Sequence, residues 1–316
     1  MKEIVETVEI RATEAPPDWI IPKRATIETV FGCNARCPMC VIENPTDRMK
    51  GVMPLDTFRG IVDSLVPYRN HFEMFDLFAL GEPLLDRHLF ERIRYVKSKG
   101  FKRLAFSTNA QLLNKERQQA LLQSEIETVI FSLDGARKAT HEKIRPRVTF
   151  ERVVRNILSV IKLRDEGDYP TRFIVRFIKQ PLNAAEWPRY KVFWDARTSR
   201  RRGDLVTSYN MHSWAGGIAS KRDLLGDRFD PEIEAAPCHH AFDNMTILAD
   251  GSMPLCAEDI LDPQYGIGNV IGRDPVEVFN GAAFNALRER HKAGRKNELP
   301  SCRECTLLYS ESAKTN

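Results

Sequence analysis

Seven cysteines carry most of the chemistry legible in this 316-residue sequence, and their placement is uneven. Cys33, Cys37 and Cys40 lie within eight residues, the next 197 positions hold none, and Cys238, Cys256, Cys302 and Cys305 fall in the last 79. Residues Met1 to Pro22 lack the basic-then-apolar pattern of a secretory signal, and an odd cysteine count in an unexported chain argues against a disulfide framework. Grouped thiolates are better explained as metal ligands. Three on one short loop can cap three corners of a four-iron cubane, leaving the fourth iron open to a substrate group. Zinc held by the three with a remote His or Asp is the competing occupant. The other four thiols make a full set for one four-iron cluster or one zinc, and Cys302-x2-Cys305 with two distant partners does not choose between them.

A loop of this kind has to be positioned by regular elements, and the sequence alternates strand-like and helical patterns. Ala25 to Val30, Met74 to Phe78, Arg103 to Phe106, Thr128 to Ser132, Arg172 to Ile178 and Leu205 to Thr207 read as strands. Between them, Leu55 to Leu65, His88 to Lys99, Asn114 to Leu122, Phe150 to Arg164 and Ala184 to Ala196 read as helices. Six such β/α units predict an α/β fold with parallel strands and right-handed crossovers, as an open sheet or a full or partial barrel. Chemistry in these folds sits at the C-terminal ends of the strands, and the first cysteine group follows the first strand directly. The pattern changes after Gly216 and Gly217. There a polar stretch from Ser220 to Ala236 leads to Cys238, then to a hairpin with arms Met245–Leu248 and Met253–Leu255 turning at Asp250-Gly251. An amphipathic helix from Val276 to His291 follows, ended by Gly294. The expected organisation is an N-terminal extension over residues 1–24, a core over 25–217 and a second domain over 218–316.

Composition excludes several classes. The chain is 42% hydrophobic and 28% charged, the balance of an ordinary folded protein. No apolar run approaches a membrane span, so no membrane partner is expected and the expected compartment is the cytoplasm. Net charge is only +4, and the densest basic cluster, Arg200 to Arg202 with Arg197, lacks interleaved aromatic residues, which does not support nucleic-acid binding. That cluster reads as a solvated loop, or as a grip for an acidic or phosphorylated substrate.

Cys-x3-Cys-x2-Cys after the first strand, with Met39 ahead of the last cysteine, resembles the signature of radical S-adenosylmethionine enzymes. Other segments fit in order at successive strand ends. Gly81-Glu82-Pro83 resembles the family's motif for the cofactor's methionine amino group. Ser107-Thr108-Asn109 resembles its ribose and carboxylate contacts, Ser132-Leu133-Asp134-Gly135 matches a further recurrent element, and Arg145 looks like the arginine beside the cofactor carboxylate. Singly, each motif is also a common turn or helix cap. The resemblance implies a partial (β/α)6 TIM-like barrel and reductive cleavage of S-adenosylmethionine to a 5'-deoxyadenosyl radical that abstracts a substrate hydrogen. It also implies a flavodoxin- or ferredoxin-type reductant.

Cys238, the Asp250-Gly251 turn, Cys256, Gly266-Ile267-Gly268-Asn269-Val270, a helix and the Cys302–Cys305 pair together resemble the twitch, or half-SPASM, auxiliary-cluster domain. This implies one auxiliary four-iron cluster fully ligated by Cys238, Cys256, Cys302 and Cys305, and two clusters in all. His239 and His240 adjoin a ligand, where they either donate hydrogen bonds or only pack. The layout is similar to aminocyclitol dehydrogenases of aminoglycoside biosynthesis, the 2-deoxy-scyllo-inosamine dehydrogenases. That similarity implies oxidation of an alcohol carbon of a small aminocyclitol or sugar, with the auxiliary cluster accepting an electron. The linker between the two domains is longer here, which leaves the substrate open. An epimerase would use another hydrogen donor, such as Tyr209 or Tyr265, since the two clusters use all seven thiols. A dehydratase and a ribosomal-peptide-modifying enzyme stay as alternatives, the latter with little room for a leader-binding module in 24 residues. A non-catalytic metal-binding or electron-transfer protein is the alternative outside enzymes. Among substrate contacts, Arg176 alternates with Ile174 and Ile178 and is expected to face the barrel interior, while Tyr209, His212 and Trp214 follow the sixth strand as a substrate wall.

Overall fold

The computed structural model describes residues 16–261 and 267–312. Most of the extension expected over 1–24, together with Tyr265, Gly266 and the last four residues, lies outside the described residues. The centre is a seven-stranded sheet: β1 Arg24–Ile27, β2 Met74–Asp76, β3 Leu104–Thr108, β4 Thr128–Ser132, β5 Arg172–Lys179, β6 Leu205–Asn210 and β7 Asn244–Ile247. The spatial order is β6-β5-β4-β3-β2-β1-β7, and every pairing is parallel. Helices α1 Leu55–Leu65, α2 Leu89–Ser98, α3 Lys115–Gln123, α4 Lys138–Ile144, α5 Phe150–Glu166 and α6 Trp187–Asp195 intervene between the strands. This is the TIM-like partial barrel that the family resemblance implied, with a seventh parallel strand beyond the six expected, and a C-terminal domain attached.

Alternation along β5 shows how the two sides are divided. Phe173, Val175 and Phe177 are buried in the main apolar core, while Ile174, Arg176 and Ile178 on the other side are half-buried. Successive strand side chains point to opposite faces, so one face packs on the helices and the other lines the barrel interior. Buried charges on the helix side are paired: Arg164 grips Asp204 through two nitrogens at 2.6 and 2.9 Å, and Arg92 meets Asp86 at 2.7 Å.

Three expectations are corrected. The first strand is interrupted, and Val30–Phe31 leaves the sheet to pair antiparallel with Gly51–Val52. Between the two pieces, the buried Glu28 carboxylate accepts Ala249 N–H and pairs with Arg48. The two-armed hairpin also does not form. Its turn exists, with Gly251 at φ +82 and Leu248 N–H bonded to Ser252 O at 2.8 Å. The first arm, however, becomes β7 and adds to the open edge of β1, while Met253 N–H bonds Gly268 O. A buried segment such as Met245-Thr246-Ile247 must place all its backbone polar groups, and an unpaired parallel edge supplies a longer ladder than a two-arm ribbon. Finally, the helix over 276–291 is two helices, Pro275–Phe279 and Ala282–Lys292, broken at Asn280-Gly281. The Asn280 side chain bonds the backbone of Ile20 in both directions, and Gly281 starts the second helix from an extended conformation.

Candidate functional site

One cavity of about 370 Å³ opens at the C-terminal ends of the strands. Its walls include Cys33, Cys37, Cys40, Met39, Gly81 and Glu82 from the first two units. Ser107, Asn109, Ser132, Arg145, Arg176 and Trp214 continue it. Pro83, Asp134 and Tyr209, also expected at the site, are not among its walls. The strand-end rule thus brings most of the expected residues together although they span 181 positions.

The cysteine loop is fixed by its neighbours. A Cβ on Gly81 would lie 2.0 Å from Val30 O, so only glycine allows the second unit to lie against the strand feeding the loop. The fully buried Glu82 binds across the units: Oε1 accepts Thr108 O–H at 2.6 Å and Leu84 N–H at 3.1 Å, and Oε2 accepts Asn109 N–H at 2.8 Å. Burial raises its carboxyl above the usual range against these bonds. Asn109 Nδ2 donates to Asn34 Oδ1 at 2.8 Å and lies 3.9 Å from Cys33 Sγ. Arg145 Nη1 reaches Cys37 Sγ at 3.9 Å. Asp134 acts only behind this arginine. Its Oδ2 holds Arg145 Nε and Nη2 at 2.7 and 2.6 Å, and its Oδ1 accepts Ile178 N–H at 2.7 Å.

Across the cavity floor, Arg176 Nη2 donates to Ser107 Oγ at 2.7 Å, and Ser107 meets Ser132 Oγ at 3.1 Å. Arg176 Nε is buried with no hydrogen-bond partner. Desolvation holds this guanidinium below its usual range. Arg24 and Asp76 form an ion pair beside it, and Asn244 joins from β7. Sequence reasoning did not single out these three; the one signal was Asp76, a charge inside the strand expected over Met74 to Phe78, while Arg24 fell in the expected extension. On the far wall, Trp214 Nε1 donates to Met39 O at 3.0 Å, and its ring lies 4.7 Å from that of His212. His212 Nδ1 is 2.7 Å from Glu258 Oε2.

The second cysteine group lines a separate small cavity of about 40 Å³ with all four thiols present. They come from different elements, yet Cys256 is raised well above the ordinary thiol range, by burial first and then by the charges of Cys305, Cys238 and Cys302. In the first group burial likewise lifts Cys33 to about 12 and Cys40 to about 11, with the neighbouring thiols adding to it. Desolvated thiolates that repel one another need a cation to hold them ionised. Both sets therefore fit metal centres: three sulfurs on a cavity wall, and four enclosed. All seven are free of disulfides. His291 also lines the small cavity and was missed in the sequence, which drew attention to His239 and to His240, itself a wall residue of the same cavity. Those two turn to Glu311, at 3.5 and 3.2 Å, with all three ligand atoms within 4.8 Å of one another. The arginine cluster is a solvated turn in part paired with acids, Arg202 with Asp168 at 2.6 Å.

The Radical SAM superfamily profile matches residues 27–166, and the SPASM profile, an iron-sulfur cluster-binding domain, matches 238–306. The antilisterial bacteriocin subtilosin biosynthesis protein AlbA of Bacillus subtilis (strain 168) is 22% identical over 304 residues, covering 87% of this chain and 63% of AlbA. The chain thus spans less than two thirds of that relative's length. The crystal structure of BtrN in complex with AdoMet and 2-DOIA superposes with a TM-score of 0.58 at 15% identity, covering 90% of this chain and 93% of BtrN. Streptococcus suis SuiB bound to precursor peptide SuiA gives 0.61 at 16% identity, covering 92% and 71%. At such identities the superpositions show the fold alone. No helix among the described residues is long and apolar enough to cross a membrane. Together the two matches imply a four-iron cluster that binds S-adenosylmethionine and an auxiliary iron–sulfur centre.

Proposed function

We propose that this protein is a radical S-adenosylmethionine oxidoreductase that removes hydrogen from a polar substrate held between two iron–sulfur centres. One observation carries the reading. The cavity walled by Cys33, Cys37 and Cys40 extends to Ala257, Glu258 and Leu307, the residues next to Cys256 and Cys305 of the other group. When bound, the clusters supply one-electron chemistry, cleaving S-adenosylmethionine to a 5'-deoxyadenosyl radical at the first group and accepting an electron at the second.

The chain's residues bind and orient. Arg145, locked by Asp134, puts a fixed positive charge beside Cys37, suited to a cofactor carboxylate. Ser107, Asn109 and Ser132 present polar groups at adjacent strand ends for the cofactor's ribose and methionine ends. Arg176 offers a free Nε to a substrate hydroxyl or carboxylate, and the Arg24–Asp76 pair supplies both donor and acceptor below it. Trp214, pinned to Met39 O, covers the cysteine loop and excludes water from it. A hydroxylated small molecule such as an aminocyclitol or sugar suits this polar floor, and oxidation of its alcohol carbon to a ketone is the favoured reaction.

A second reading, modification of a peptide side chain, is supported by the relatives: AlbA takes part in bacteriocin biosynthesis, and SuiB was crystallised with a precursor peptide. Anaerobic turnover with aminocyclitols, sugars and peptides separates the readings. Deoxyadenosine release with a loss of two mass units is expected for oxidation. Unchanged mass with solvent deuterium uptake indicates an epimerase, and loss of water a dehydratase. Absence of deoxyadenosine under strong reductant would sink the radical assignment altogether.

A further inference from the structure

A second, external groove of about 850 Å³ is bordered by Arg87, Arg94, Arg117, Arg152 and Arg155. None of the five forms an ion pair among the described residues; of the acids along the same walls, Asp86 is held by Arg92 at 2.7 Å and Glu91 by Arg59 at 2.9 Å, which leaves Glu116 against five arginines. The five come from separate places in the chain. Arg87 precedes α2, Arg94 lies on it, Arg117 is in the first turn of α3, and Arg152 and Arg155 are in the first two turns of α5. The amino ends of three helices, of 10, 9 and 17 residues, therefore meet around one concavity and add their partial positive charge to the side chains. Leu84, Phe90 and Leu112 give the groove an apolar strip, while only Phe90 offers an aromatic ring, which is little for nucleobases.

The groove's position relative to the first cysteine group is equally specific. Its wall residue Gln111 accepts Thr149 N–H through Oε1 at 3.0 Å, and its own N–H bonds Asn109 Oδ1 at 3.0 Å. Asn109 in turn reaches Cys33 Sγ. Leu84, on the same wall, donates its N–H to Glu82, which lines the inner cavity. One layer of residues thus separates a cationic outer surface from the three-thiol loop.

We infer that this arginine groove is the docking surface for a small acidic one-electron carrier protein. The inference rests on the radical reading above, in which an external donor must reduce the first centre. Each encounter passes one electron, the carrier being oxidised and the thiolate-bound iron reduced. Long-range attraction between unpaired arginines and an acidic face speeds and orients such encounters and weakens with salt.

The test uses the full chain, reconstituted anaerobically, with flavodoxin, a small acidic flavoprotein, as the probe. Calorimetric titration of oxidised flavodoxin is compared at low and high salt for the wild type and for the triple variant Arg94→Gln, Arg152→Gln, Arg155→Gln. All three positions are exposed, so the fold is retained. Binding should weaken by about ten-fold or more in the variant and lose most of its salt dependence. Flavodoxin-driven release of deoxyadenosine should fall by a similar factor while dithionite-driven release is unchanged. Equal binding by the variant and the wild type, with dithionite-driven cleavage intact, would overturn the docking surface alone. Failure of dithionite-driven cleavage in the wild type would overturn the radical reading and this inference with it. Binding of a poly-glutamate peptide or an oligonucleotide, with none of flavodoxin, would overturn the donor assignment.

Discussion

Nε2 of His291 lies 3.6 Å from Sγ of Cys302. The ring's other nitrogen accepts the backbone N–H of Cys238 at 3.3 Å, so a neutral His291 carries its proton on Nε2 and donates it to the sulfur. Burial holds the imidazole down at about 4, which keeps it neutral at ordinary pH. One side chain thereby links the thiol of Cys302 to the backbone of Cys238, and Leu307 N–H adds a contact at 3.4 Å to Cys305.

Hydrogen bonds to cluster sulfurs raise the reduction potential. His291→Leu is expected to move the auxiliary centre to a more negative potential without loss of iron. A redox titration followed by electron paramagnetic resonance checks this, and an unchanged midpoint would remove His291 from the tuning of the centre.

Iron and sulfide analysis should separate the two cysteine groups. Cys37→Ala is expected to lose about one four-iron cluster's worth of iron and all deoxyadenosine release. Cys256→Ala, in the wall of the small cavity, is expected to lose a similar amount while still cleaving S-adenosylmethionine. Should Cys256→Ala keep full iron content, the four-thiol assignment fails.

The Arg145–Asp134 pair is buried, with two guanidinium nitrogens on one carboxylate oxygen, so removing one partner leaves an unpaired charge. Arg145→Ala is expected to cost about 3–5 kcal/mol of stability, with Asp134 left against Ile178 N–H alone on its β5 side. Asp134→Asn should cost less, since the amide keeps a hydrogen-bond acceptor for Arg145. Denaturant titration of both variants checks the order, and equal losses would contradict the charge argument.

His141 is fully buried, and desolvation together with the nearby Arg145 lowers it from 6.5 to about 3. Its folded form binds a proton less readily than the unfolded chain, so its contribution is complete above pH 6.5 and is lost as pH falls towards 3. One proton taken up on unfolding costs about 1.4 kcal/mol by pH 5.5. The wild type should lose about that much more stability than His141→Gln between pH 7.5 and 5.5. Parallel losses in the two proteins would show that another group governs the acid limb.

What the sequence determined by itself was whatever depends on neighbours along the chain. The Cys-x3-Cys-x2-Cys spacing, the alternation of strand and helix periods, and the placing of Gly81-Glu82-Pro83, Ser107 and Ser132 at or just past strand ends are all local patterns. Helix α1 and strand β4 even match their expected bounds residue for residue. The tertiary structure decided the rest, because it depends on which distant surfaces find one another. Met245–Leu248 reads as a hairpin arm until the open edge of β1, some 220 residues earlier, offers a ladder to Asn244–Ile247. The side chains of His239 and His240 sit next to a ligand in sequence but pair with Glu311, whereas that of His291, 53 residues past Cys238, reaches the Cys302 thiol. Arg24 and Asp76 are ordinary strand charges until the barrel closes around them, and the five groove arginines become one surface only when three helix ends converge. Spacing and period are written in the covalent chain, but convergence is set by long-range packing of the whole core, which no short stretch of residues encodes.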